Sequence, residues 1–111
     1  MITMMKFEMT YHAKEERIDR LVKCVELIGV GDVILTASNE EETRRGIKRQ
    51  LTSTGLVLIV NAQSNILITG YMGNLSQVVA IYRENGIAKM PNSMHKQVKR
   101  NVEKYRFLLE M

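Results

Sequence analysis

The stretch LVLIVNAQSNILITGYM, residues 56–72, decides the fold of this chain. Its two ends, Leu56 to Val60 and Ile66 to Met72, are short, apolar and rich in branched residues, which is typical of β-strands. The five residues between them, NAQSN, are turn formers. The stretch therefore predicts a β-hairpin.

Further strands are predicted on the N-terminal side of this hairpin. A strand is expected near Ile47 to Thr52, joined to the hairpin by a tight turn at Gly55. Ser38 and Glu41 have the spacing of a capping box, which favours a polar loop or a short helix before that strand. Val33 to Leu35 fits either a strand or a helical turn. We therefore expect an antiparallel sheet of three to four strands.

Helical periodicity marks both ends of the chain. It predicts a first helix over about residues 10–28, with Thr10 as its N-cap. A second helix follows the hairpin and stops at Gly86, and a third covers about residues 93–109. The spacing of its apolar residues places one stripe on the first helix, which consists of Ile18, Leu21, Val22, Val25 and Ile28.

Length and composition favour a single domain of the α+β class. The chain has 111 residues, of which 45% are hydrophobic and 25% charged, so one core can form without a metal or a disulfide. We expect an N-terminal helix, a three- to four-stranded antiparallel sheet and two C-terminal helices, with residues 74–111 as the helical C-terminal part. Residues 1–9, which hold four of the eight methionines, are expected to lie outside the ordered fold.

The sequence lacks the features that mark several classes of functional site. Cys24 is the only cysteine, which excludes an internal disulfide and a cysteine-based zinc site and suits a cytoplasmic location. No uninterrupted apolar run exceeds the five residues of Leu56 to Val60, whereas a membrane span needs about 20. Motifs for nucleotide hydrolysis, dinucleotide binding, zinc proteases and α/β-hydrolases are absent. We therefore expect no cofactor, no metal and no membrane partner.

The net charge of +4 lies entirely in the second half of the chain. Residues 1–60 carry nine basic and nine acidic side chains, and residues 61–111 carry seven and three. Within the first half, Glu40 to Glu42 run directly into a basic cluster. Such a cluster contacts phosphates or forms a solvated face whose charges pair with each other. The candidate nucleic-acid-binding residues are Arg44, Arg45, Lys48 and Arg49 in this cluster, and Lys99 and Arg100 on the last helix.

The last helix has two different faces. Its apolar residues recur at helical spacing, which is typical of a core contact or an oligomer contact. Its other face is basic, with aromatic residues alongside, and would serve as a nucleic-acid grip or as an oligomer interface. The basic residues are Lys96, Lys99, Arg100, Lys104 and Arg106, and the aromatic ones are Tyr105 and Phe107.

Metal-independent RNA cleavage is one chemistry that the remaining polar residues allow. Such cleavage needs a base for the 2′-hydroxyl proton, an acid for the leaving 5′-oxygen and cations that stabilise the phosphorane. The side chains of His, Lys, Arg and Tyr can supply all three. His12 titrates near pH 7, and Thr69 and Tyr71 project from one side of a strand. If Ile66 and Ile68 fill the core, Thr69 and Tyr71 lie on the open face. Each of these residues also has a structural explanation, as a helix cap or a strand former.

The first helix and the hairpin resemble the ribonuclease superfamily that includes barnase, EndoU, colicins and RelE. The resemblance covers about residues 10–72 and includes a basic segment between helix and hairpin. It implies a helical N-terminal part packed on a four-stranded antiparallel sheet, and RNA cleavage without metal. The residues that carry it are Tyr11, His12 and Ala13, Arg17 and Arg20 in the same helix, and Thr69 at the end of the second apolar strand.

The resemblance also implies roles for individual residues. The chain departs from the His-Ala-x-x-Arg-like helix by one position, where it has Glu16, and its C-terminal helices are an addition that the compact nucleases lack. A cation of the 44–49 cluster is an alternative phosphate ligand. Carried over by position, His12 is the general base or acid, Arg17 binds phosphate, and Thr69 and Tyr71 orient the substrate or donate a proton.

Three functions stay open at this point. The first is a metal-independent endoribonuclease, with RNA favoured over DNA. The second is a non-catalytic module that sequesters a nucleic acid, a nucleotide or a host protein, in the style of small basic proteins of phages and mobile elements. The third is a homo-oligomer assembled through the last helix. The enzyme requires His12, Thr69 and Tyr71 to converge in a basic cleft, whereas a binding module needs only a basic or apolar surface.

Overall fold

The computed structural model describes the backbone of residues 11–109 and the side chains of residues 18–107. The expectations for residues 1–9, for the cap at Thr10 and for the side chains of His12 and Arg17 lie outside the described residues. In chain order the elements are α1 (Tyr11–Ile28), β1 (Val33–Ala37), α2 (Glu40–Arg45), β2 (Ile47–Thr52), β3 (Leu56–Asn61), β4 (Leu67–Met72), α3 (Leu75–Glu84), α4 (Asn92–Lys104) and α5 (Arg106–Leu109).

The α+β class and the order of helices and strands are confirmed. The four strands form one antiparallel sheet in the order β1-β2-β3-β4, so each strand pairs with its neighbour in the chain. Val57 pairs with Leu51 on one side and with Tyr71 on the other, and the three side chains therefore share one face. The next row on that face consists of Arg49, Ile59 and Thr69.

Strand β3 is apolar on both faces, and helices cover both. On one face, Val57 belongs to a buried cluster with Val78 of α3 and Val98 of α4. On the other face, Leu56 belongs to a buried cluster with Cys24 of α1. The sheet is therefore the middle layer between α1 and the pair formed by α3 and α4.

The stripe predicted for α1 is only partly buried. Leu21 and Cys24 meet the sheet, and the Cys24 side chain is 1% exposed. Ile18 and Val22, in contrast, are 50% and 49% exposed, and Val25 is exposed as well. These three residues of the stripe are exposed because α1 lies over β4, and only one narrow side of a helix reaches a single strand.

A short helix, α2, precedes β2 and has a complete capping box. Asn39 Oδ1 accepts a hydrogen bond from the Glu42 amide at 2.8 Å, and Glu42 Oε1 accepts one from the Asn39 amide at 2.9 Å. The predicted box at Ser38 and Glu41 was therefore one residue too early. Ser38 instead donates its hydroxyl to the Ile47 carbonyl at 3.0 Å.

The last predicted helix is interrupted at Tyr105. Its ring packs against the cluster that contains Cys24 and Leu56, and the chain leaves helical geometry there with a ψ of 37°. α4 and α5 are therefore separate elements. None of the helices within residues 11–109 is long and apolar enough to cross a membrane.

Gly70 allows α1 to pack closely on β4. A β-carbon at position 70 would lie 3.0 Å from Leu21 Cδ1 and 3.0 Å from the Val57 carbonyl oxygen. We predict that Gly70→Ala lowers the free energy of unfolding by roughly 1–3 kcal/mol, because the added methyl group overpacks this contact. Urea denaturation followed by circular dichroism measures the change. A control substitution in the exposed turn, Gln63→Ala, should change the stability by less than about 0.5 kcal/mol. Equal stability of both variants would contradict the close packing of α1 on β4.

Candidate nucleic-acid interface

The outer side of α4 carries a row of cations. Met94, Val98 and Asn101 are buried on the inner side of this helix. Helical periodicity turns the positions between them to solvent. We call the exposed cations of α4 the basic face, and they are Lys96, Lys99, Arg100 and Lys104.

Asn101 fixes the rotation of α4 on the sheet. Its side chain is 2% exposed, and its Nδ2 donates to the Thr54 carbonyl at 2.8 Å. Its Oδ1 accepts a hydrogen bond from Gln97 Nε2 at 2.9 Å. A buried amide that is satisfied on both sides holds the helix to the turn between β2 and β3. The basic face is therefore directed away from the core.

The charges of the basic face are not neutralised by neighbours. Among the side chains that the structure describes, no carboxylate forms an ion pair with any cation of this face. Lys96, Arg100 and Lys104 are four residues apart, and like charges at this spacing destabilise a helix by about 0.2–0.5 kcal/mol per pair. A polyanion that lies along α4 would remove this repulsion.

In the 44–49 cluster, in contrast, the arginines form ion pairs with carboxylates. Arg44 lies 3.5 Å from Glu40, and Arg45 lies 3.0 Å from Glu41. Each pair joins residues four apart on α2. Lys48 is half-buried and has no ion pair with the described side chains. The geometry thus favours the interpretation of this segment as a face whose charges pair with each other.

Arg49 is the most strongly held cation of that cluster. Its side chain is 12% exposed, its Nε lies 2.8 Å from Glu42, and its Nη2 lies 2.7 Å from Glu84. Burial opposes the charge, but the hydrogen bonds to Glu84 and Glu42 outweigh it and raise the pKa of Arg49 above its ordinary value. Arg49 therefore ties α2 and α3 to β2. A phosphate would have to displace two carboxylates to reach it.

We predict that Arg49→Met lowers the free energy of unfolding by roughly 1–3 kcal/mol, because two partly buried carboxylates lose their partner. Thermal and urea unfolding measure this change. Arg45→Met breaks an exposed pair and should cost less than about 1 kcal/mol. Equal losses in the two variants would show that the Arg49 ion pairs do not hold α2 and α3 to the sheet.

Thr69 and Tyr71 share one face of β4, as predicted, but that face is not open. Both side chains are half-buried, and Tyr71 packs against the cluster formed with α3 and α4. Burial raises the pKa of Tyr71 above its ordinary value. Thr69 Oγ1 is buried and has no hydrogen-bond partner among the described residues. The expected open face is wrong because α3 starts beside β4 and reaches β1, where Asn85 donates to the Thr36 carbonyl at 3.0 Å.

The sheet separates α1 from Thr69 and Tyr71. α1 packs through Cys24 on the opposite face of β4, and the side chains of His12 and Arg17 lie outside the described residues. The described residues therefore bring Thr69 and Tyr71 together with Arg49 on one face, and not with α1. The described residues therefore do not support the convergence of His12, Thr69 and Tyr71 that cleavage requires.

Other candidate features of the described residues are structural. Burial raises the pKa of the Cys24 thiol, so its reactive thiolate form is disfavoured. No group of three or more His, Cys, Asp or Glu side chains within the described residues is arranged to hold a metal ion. A shallow groove of about 550 Å³ runs along a single helix, and its lining consists of Leu75, Ser76, Val79, Ala80, Arg83 and Glu84.

An aromatic pair lies at the C-terminal end of the basic face. The rings of Tyr105 and Phe107 meet edge to face with their centroids 6.4 Å apart. Lys104 Nζ lies 5.7 Å from the centroid of the Tyr105 ring. The Phe107 side chain is 51% exposed. Positive charge and an accessible aromatic ring therefore occur side by side.

Comparisons of the chain with protein-family models, with curated proteins and with solved structures found no match. The resemblance to the ribonuclease superfamily stays a prediction. Association of copies through the last helix also stays a prediction, and Met94 and Val98 of that helix are buried in the core of the chain itself.

Proposed function

We propose that this protein is a module that binds nucleic acid through the basic face of α4 and does not cleave it. The observation that carries the proposal is the contrast between two basic segments. The cations of α4 are aligned, exposed and unpaired, whereas the arginines of the 44–49 cluster are paired with carboxylates. Unpaired cations in a row complement a repeating anion.

The length of the basic face suits a nucleic-acid backbone. With a rise of about 1.5 Å per residue, Lys96 and Lys104 are about 12 Å apart along the helix. A nucleic-acid strand carries several phosphates over that length. Contacts of this kind position the ligand and read no sequence. We therefore expect binding that depends strongly on salt and weakly on base sequence.

Cleavage is left out of the proposal for a geometric reason. An acid and a base must both reach the scissile phosphate. Thr69 and Tyr71 are half-buried, Tyr71 packs against the cluster formed with α3 and α4, and Arg49 is engaged by two carboxylates. No described group of α1 lies on their face of the sheet. A binding module makes none of these demands, and among the partners considered above a nucleic acid matches the basic face.

The double variant Lys99→Glu with Arg100→Glu tests the proposal. We predict at least a roughly tenfold loss of affinity for a fluorescent oligonucleotide, because two phosphate contacts become repulsive. The plot of log affinity against log salt should have a slope of about −2 to −3 for the wild type, and a slope about 1.5 units shallower for the variant, because two phosphate contacts are lost. Fluorescence anisotropy between about 50 and about 200 mM salt measures both quantities.

A matched control reverses two charges on α2 with Arg44→Glu and Arg45→Glu. This variant has the same net charge as the α4 variant, so it corrects for the overall field of the protein. We expect it to bind within about threefold of the wild type, because these arginines are already paired. Equal losses in both variants would contradict binding through α4. End-labelled RNA that is shortened by the wild type in EDTA would contradict the absence of cleavage.

A further inference from the structure

We infer that the nucleic acid taken by the basic face is single-stranded and that one of its bases stacks on the ring of Phe107. This inference rests on the proposed function and adds the class of ligand. Phe107 follows directly on the basic face and is 51% exposed. Lys104 lies over the ring of Tyr105, which in turn meets Phe107. A large apolar ring that is open to water at the end of a row of cations matches surfaces that bind single strands, where phosphates meet cations and bases meet aromatic faces.

The ring of Phe107 rests on an anchored neighbour. Tyr105 is half-buried and packs against the cluster that contains Cys24 and Leu56. Phe107 meets Tyr105 edge to face at 6.4 Å and 78°, so Tyr105 supports one edge of its ring. A supported aromatic side chain has few conformations to lose when a base stacks on it.

The same site discriminates against a duplex. Bases inside a double helix are stacked on each other and paired, so their faces are not accessible to a side chain. Single strands expose those faces, and every base has one. The basic face alone would accept either form, because both carry phosphates. Phe107 is therefore the group that selects single strands.

An anionic membrane fits this surface less well. A helix that lies on a bilayer inserts a continuous apolar side between the headgroups. The apolar side of α4 is occupied by the core, where Met94 and Val98 are buried. Among the side chains of α4 and α5 that the structure describes, which end at residue 107, only that of Phe107 is a large exposed hydrophobic one.

The experiment compares three versions of the full-length protein on one oligonucleotide and on its duplex. The wild type should bind the single strand at least about fivefold more tightly than the duplex. Phe107→Ala should lose roughly five- to tenfold in affinity for the single strand and nothing for the duplex, with an unchanged salt slope. Ile87→Ala removes another exposed apolar side chain and should behave as the wild type.

Phe107→Trp provides a direct signal of stacking. The chain contains no tryptophan, so this substitution introduces the only indole. We expect the variant to keep the preference for single strands, and its fluorescence to be quenched by the single strand and not by the duplex. A thermal melt of each variant checks that it folds. Because position 107 is exposed, we expect the melting temperature of each variant to equal that of the wild type within error.

The outcomes separate this inference from the proposed function. If the basic-face variant loses binding but Phe107→Ala does not, or if the duplex binds as tightly as the single strand, the inference is overturned and the proposed function stands. If neither form binds to the wild type, both are overturned. Sedimentation of the protein with phosphatidylglycerol vesicles, without affinity for either oligonucleotide, would assign the surface to a membrane instead.

Discussion

The burial of β3 on both of its faces is the constraint on which the rest of the structure depends. Five consecutive apolar residues, Leu56 to Val60, alternate between the two sides of the sheet. Neither side can be left to water, so each needs helices. α1 covers one side, and α3 with α4 covers the other. The helices α1, α3 and α4 therefore each bury one side against the sheet, and the opposite side of each is exposed.

This arrangement places the two basic segments, on α2 and on α4, in different electrostatic environments. In α2 the acidic residues precede the arginines by one helical turn, so the charges meet within the same helix. In α4 the only acidic residue is Glu103, and among the described side chains neither Glu103 nor a carboxylate of a neighbouring element forms an ion pair with a cation of the basic face. The buried amide of Asn101 then fixes which way they face. The exposure of the basic face is a consequence of packing on the opposite side of the helix.

Local patterns in the sequence predicted the order of most elements, but they left β1 open between a strand and a helical turn and α2 open between a loop and a short helix. Strand β2 begins and ends where its pattern predicts, and the turn formers before Ile66 end β3 within one residue of the expected position. The sequence patterns did not predict contacts between residues that are far apart in the chain. Arg49 meets Glu84, 35 residues away, and Tyr71 packs against a cluster that includes residues of α3, a helix that periodicity alone does not place on one side of the sheet. Periodicity also did not decide that Cys24, and not Val22, faces β4, because both lie on plausible stripes of α1.

The most direct test of the account is a map of the contact surface in solution. Amide chemical shifts of ¹⁵N-labelled protein, recorded during titration with a single-stranded oligonucleotide, report which residues meet the ligand. The account predicts that the largest changes lie between Lys96 and Phe107 and that α2 and the row of Arg49 and Thr69 are unaffected. Changes centred on that row, or on α1, would contradict binding through α4. Changes centred on the row would indicate that the sheet face is the site.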